Sequence, residues 1–141
     1  MRFFLVGEYG DVSMRPHYHA ALFGVGRSME DVVRETWGMG HVMLGDLTVQ
    51  SARYIAKYVT KKMTQKDDPR LGFLLPEFTL QSLRPGIGAT AIPDLVFSLD
   101  TQYGLKHIVH VGDVPVSIQH DRKSWPLGRY LREKLRTELV S

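Results

Sequence analysis

An α+β domain is the fold class this sequence predicts, built on an antiparallel sheet that bears His17-Tyr18-His19 and is packed by a tyrosine-carrying helix. Three observations predict it. Residues 2–9 and 17–24 are dense in aromatic and branched side chains and lie about seven residues apart, close enough for an antiparallel hairpin. Residues 49–63 repeat apolar side chains at helical spacing, and residues 127–139 form a basic amphipathic helix after a less regular stretch.

Element by element, residues 2–9 (RFFLVGEY) end at the turn signal Gly10-Asp11, and residues 17–24 (HYHAALFG) are apolar at both parities after the histidines, as in a strand buried on both faces. Ser28 is placed to cap a helix over residues 29–37, with Asp31 at the capping-box position and Met29, Val32, Val33 and Trp37 on one face. A short third strand is expected at 41–44. In the helix over 49–63, Ala52, Ile55, Ala56, Val59 and Met63 make an apolar stripe. Residues 64–93 read as irregular, broken by Asp67-Asp68-Pro69 and by Arg84-Pro85-Gly86-Ile87-Gly88. A second hairpin is expected from 109–111 and 114–118 around Gly112-Asp113, with Pro115 confining it to an edge. Residues 1–141 are expected to form a single domain.

Composition narrows the chemistry. The 141 residues are 43% hydrophobic and 23% charged, near the globular average, which excludes a disordered or collagen-like chain. No run approaches the 18 apolar residues of a membrane span, and the apolar opening is too short for a secretory signal. Cysteine is absent, so disulfides, thiolate zinc sites and a cysteine nucleophile are excluded, and a metal has to sit on His, Asp or Glu. A formal charge of +3 gives a weak preference for an anionic partner.

His17 and His19, two apart on a strand, leave the same face with about 6.5–7 Å between their Cα atoms. They are either core histidines or two ligands converging on one ion. Glu8 decides which reading gains weight. Opposite either histidine it completes a set of two imidazoles and one carboxylate, which a divalent metal accepts with positions left open, whereas a one-residue slip aims it at the other face. His41, His107, His110 and His120 are scattered and read as structural or solvated. Tyr54 and Tyr58 stack one turn apart on the 49–63 helix, roughly 130° from its apolar stripe at about 100° per residue, on the side of Ser51, Lys61 and Lys62. With Lys57 between them they are either phenol nucleophiles aided by cations or a surface that stacks on bases and contacts phosphates.

The order HYH then YIAKY resembles the HUH-type endonucleases of rolling-circle replication, and more narrowly the replication initiators of microviruses, the small single-stranded DNA phages. The matching stretches are GEYGD at 7–11, RPHYHAALFG at 15–24, YIAKYVTKK at 54–62, PEF and RPGIG within 76–88, and PLGRYLREKL at 126–135. The resemblance implies a sequence-specific nickase and strand transferase on origin single-stranded DNA. His17, His19 and Glu8 would hold Mg²⁺ or Mn²⁺. Tyr54 and Tyr58 would attack the scissile phosphate in alternation through a 5′-phosphotyrosine, with Lys57 supplying charge. Arg15, Lys61, Lys62, Arg129 and Arg132 are the candidate DNA contacts, with Lys134 and Arg136 on the same helix as Arg129. The host replication machinery is a further candidate partner, and the bacterial host cytoplasm the expected location. Such proteins place a hydrophobic-Thr-Leu-Thr strand before GEYG, so the resemblance implies a sheet without its first strand and an N-terminally shortened chain. Three rivals stand beside this reading: a non-catalytic nucleic-acid-binding remnant, an HUH transposase or relaxase, and a metal hydrolase that uses water in place of tyrosine.

Overall fold

A computed structural model describes residues 1–60 and 67–140, apart from the side chains of Val59 and Thr60. The fold is α+β, and the chain gathers into two compact units, Met1–Ser82 and Leu83–Ser141.

In the first unit, strands β1 (Arg2–Tyr9), β2 (Pro16–Phe23) and β3 (Phe78–Gln81) make an antiparallel sheet in the order β2-β1-β3. The β1–β2 ladder runs unbroken from Arg2 opposite Phe23 to Tyr9 opposite Pro16. Its turn is closed by the Gly10 amide donating to the Arg15 carbonyl at 3.0 Å. Side chains alternate across the sheet. One face carries Glu8, Val6, His17, His19 and Ala21, with Val6 and Ala21 buried. The other carries Gly7, Tyr18 and Phe78, with Trp37 edge-on to Tyr18 at 5.0 Å between centroids. A Cβ at Gly7 would meet Phe78 Cε1 at 2.6 Å, so any side chain there would force that ring to move.

Helix α1 (Glu30–Trp37) is the expected one, but its N-cap is Met29 and not Ser28, with no side-chain cap. A 3-10 turn at Arg27–Met29 takes up the position Ser28 needed. The strand expected at 41–44 does not form. Helix α2 (Val49–Thr60) begins with Thr48 and Ser51 bonding reciprocally across the first turn. Its predicted continuation to Met63 lies outside the described residues.

The second unit corrects the sequence reading most. The stretch expected to be irregular, which begins in the first unit, contains that unit's β3 and here the start of α3 (Ile92–Leu99), and residues 109–111 end helix α4 (Gln102–Val111) where a strand was expected. Gly112, read as a turn, is the left-handed C-cap of that helix at φ 75°. The real hairpin joins β4 (Ser117–His120) to β5 (Lys123–Pro126) through Asp121 and Arg122, both at positive φ. Helix α5 (Arg129–Val140) is where the sequence placed it. Ile92, Val114, Leu127 and Leu135 form this unit's core. Two motifs of the resemblance meet here, since the Gly86 amide donates to Tyr130 Oη at 2.8 Å and Gly88 packs on Leu131.

Candidate functional site

The ladder register resolves the question Glu8 posed. Glu8 lies directly opposite His17, and His19, two residues on, shares their face. Glu8 Oε1 and His19 Nε2 are 3.0 Å apart and hydrogen bonded. His17 is exposed and its imidazole leans over Gly10, where a Cβ would come 3.0 Å from His17 Cε1. Among the described residues no three His, Asp or Glu side chains are drawn into a ready metal cage.

Two imidazoles and a carboxylate are donor types that a divalent ion accepts. In this arrangement the 3.0 Å Glu8–His19 contact is a hydrogen bond, and His17 shares their sheet face.

Above this pair stands α2. His19 stacks on Tyr58 with centroids 5.3 Å apart and planes 12° from parallel, and meets Tyr54 edge-on at 5.7 Å. Tyr58 donates to Tyr54 Oη at 2.9 Å. Lys57 Nζ lies 4.6 Å from the Tyr54 ring centroid and 5.7 Å from that of Tyr58. Burial pushes the Tyr58 phenol well above its usual range, with the bond to Tyr54 and the neighbouring Glu8 carboxylate adding to it. Tyr58 is 7% exposed and Tyr54 47%.

This arrangement reverses the helix face the sequence selected. Of the apolar stripe, Ala52 and Ala56 are exposed and Ile55 is half-buried, the Val59 side chain and Met63 lie outside the described residues, and the tyrosine side meets the sheet. Size explains it: an aromatic ring buries far more area than an alanine methyl, and each phenol finds a polar partner.

Glu8, His19, Tyr54, Lys57 and Tyr58 are therefore brought together, with His17 on their face. Arg15 is exposed in the turn before β2, and Lys61 and Lys62 lie outside the described residues. In the second unit Arg129 is exposed and pairs with Glu133 at 3.5 Å. Arg132 closes on Asp113 at 2.7 Å, as does Arg136, so two candidate phosphate contacts are engaged within the protein. Arg136, the Val114 amide and Arg132 hold the Asp113 carboxyl well below the usual range. Sequence reasoning missed Asp113 as their partner and Val6 as the buried neighbour of His19 across the ladder. The only signals were an acid after a helix-ending glycine and the alternation of β1.

Residues 1–63 match the family model of the replication-associated protein ORF2. All six catalytic and metal candidates fall inside that segment. The chain is 30% identical over 81 residues to the replication-associated protein VP4 of Bdellovibrio phage phiMH2K, covering 47% of this chain and 26% of that protein. It is 33% identical over 92 residues to the replication-associated protein ORF2 of Spiroplasma virus 4, covering 55% and 28%. For the replication-associated protein ORF4 of Chlamydia phage 1 the identity is 32% over 81 residues, covering 44% and 20%. The resemblance to phage replication proteins is borne out, although the chain spans only 20–28% of the length of these curated relatives. No solved structure shows a significant match. Among the described residues no helix is long and apolar enough to cross a membrane.

Proposed function

We propose that this chain acts in phage DNA replication by nicking and rejoining single-stranded DNA at the origin through a 5′-phosphotyrosine. One observation carries the reading: the Glu8–His19 pair and both phenols lie on one sheet face, with His19 in ring contact with each tyrosine. A purely structural histidine does not need two tyrosines, a lysine and a carboxylate around it.

Glu8, His19 and His17 would hold Mg²⁺ or Mn²⁺, which when bound polarises a phosphate and neutralises its developing charge. The remaining work falls to the helix. A phenol gives up its proton and its oxygen attacks phosphorus, the tyrosine O–P bond forms, the bond from phosphorus to the 3′ oxygen breaks, and that leaving oxygen takes up a proton to become the 3′ hydroxyl. Lys57 favours this by placing positive charge beside a phenol that must lose its proton. The ester keeps the energy of the broken linkage, so a returning 3′ hydroxyl reseals the strand without a nucleoside triphosphate.

The test is a denaturing gel of the chain with origin single strand and Mn²⁺. A covalent adduct is expected, absent with a chelator and absent in the Tyr54→Phe, Tyr58→Phe double variant. Salt-sensitive binding without an adduct would sink the catalytic reading and leave a DNA-binding module. An adduct-free cleavage that survives loss of both phenols would assign the chemistry to water.

A further inference from the structure

We infer that the outward side of α4 is a DNA-binding site in its own right, a row of Tyr103, Lys106 and His110 along which a single strand lies. A base stacks on the Tyr103 ring and phosphates meet the two basic side chains. That the occupant is DNA rests on the replication reading, but the row uses none of the chemistry of α2.

The way α4 is seated decides which side chains face out. Gly104 is buried, and a Cβ there would meet the Leu99 carbonyl oxygen at 2.4 Å, so this side of the helix is pinned to the end of α3. Ile108, one turn on, is half-buried on the same side. At about 100° per residue, Tyr103, Lys106 and His110 fall within about 60° of one another and about 120° or more from the middle of that buried side, with His107 bordering Tyr103. All four are exposed, Tyr103 at 85%. The row spans about 10.5 Å at about 1.5 Å per residue, the length of about three stacked nucleotides at about 3.4 Å each.

Charge selects the partner. Helix α4 contains no Asp or Glu, and among the described residues the side chains of Tyr103, Lys106, His107 and His110 make no hydrogen bond or ion pair. The arginines of α5 that the sequence offered to DNA are occupied differently, since Arg129 faces Glu133 while Arg132 and Arg136 close on Asp113. A phenol ring, an ammonium and an imidazole in line match what a single strand presents: the flat face of any base for the ring, and phosphate oxygens for the ammonium and a ring N–H. Leu105 and Val109, exposed on the flank away from His107, are the apolar pair a protein would use. By themselves they supply far less than the roughly 800 Å² per partner of a specific protein interface.

The experiment follows binding of a fluorescent mixed-sequence single strand to the full chain by anisotropy, without divalent metal and over a salt series, with adduct formation in Mn²⁺ scored in parallel. Tyr103→Ala should weaken binding about tenfold through loss of one stacked base, whereas Tyr103→Phe, which keeps the ring, should stay within about twofold of the parent. Lys106→Ala should reduce the slope of log affinity against log salt by about 0.7, the share of one phosphate contact on a single strand. Val109→Ala, an equally exposed control beside the row, should change neither quantity. Parent-like affinity and salt slope in Tyr103→Ala and Lys106→Ala overturn the inference. So does an equal loss in Tyr103→Phe or Val109→Ala, or a duplex that competes as well as the single strand. Losses in the α4 variants with no adduct from the unmodified chain would instead overturn the nicking reading and leave this site standing.

Discussion

Val6 is the buried neighbour of His19 in the candidate site, and its replacement by alanine tests whether that position is closed as described. The side chain is 1% exposed and lies opposite His19 in the ladder. Removing two buried methyl groups forfeits about 1.6 kcal/mol of transfer free energy, at about 0.8 each, and the void left behind adds on the order of 1 kcal/mol. A loss of about 2–3 kcal/mol lowers the melting temperature of a domain this small by roughly 10–20 °C. Val12 supplies the control, since it sits in the β1–β2 turn and is 99% exposed. Val12→Ala makes the same chemical change and should stay within about 0.5 kcal/mol of the parent. Urea titrations of both variants, followed by far-ultraviolet circular dichroism and by Trp37 fluorescence, give the comparison directly. Equal losses for the two valines would refute the burial assigned to Val6, because a closed strand position and an open turn position would then be indistinguishable.

Two further predictions concern the second unit. Leu135→Ala opens a cavity at a 1% exposed position among Ile92, Val114 and Leu127, and should cost about 3–4 kcal/mol, read as a shift of the urea midpoint with Trp125 fluorescence as the probe. Asp113 titrates well below its unfolded value because Arg136, the Val114 amide and Arg132 favour the carboxylate, so its stabilisation is present above about pH 4 and is lost as pH falls below that. Asp113→Asn should lower the melting temperature at pH 6 and lower it by progressively less as the pH falls below about 4, flattening the acid side of the profile; a parallel displacement at every pH would dismiss the ion pairs as the cause.

Where the sequence was legible, the reason is local. β1 and the shared face of His17 and His19 follow from residue alternation, and α5 from the periodicity of its apolar residues, whereas the face of Glu8 depended on the ladder register, which alternation alone does not fix. The failures arose where one residue type serves two structures. Gly112 after Val109-His110-Val111 fits a hairpin turn and a helix C-cap equally, and the Thr101 side chain, which accepts from the Gly104 amide, was the cap signal that would have marked α4. Residues Ile92–Leu99 make a short helix that opens on Pro93, which reads as a breaker although a helix accommodates proline in its first turn. The turn Asp121-Arg122 takes positive φ without glycine, against the usual preference. On α2, counting apolar positions favoured the alanines, whereas ring area and paired hydroxyls favoured the tyrosines.

The unbroken ladder between β1 and β2 also limits how this hairpin can tolerate insertions and deletions. A residue gained or lost between Gly10 and Arg15 changes only the turn, provided Tyr9 still opens the ladder opposite Pro16. The same event between Val6 and Glu8, or between His17 and His19, would turn one donor to the far side of the sheet. Length variation among related chains should therefore collect in the turn, and loop grafting there offers a place to attach a probe without dismantling the donor set.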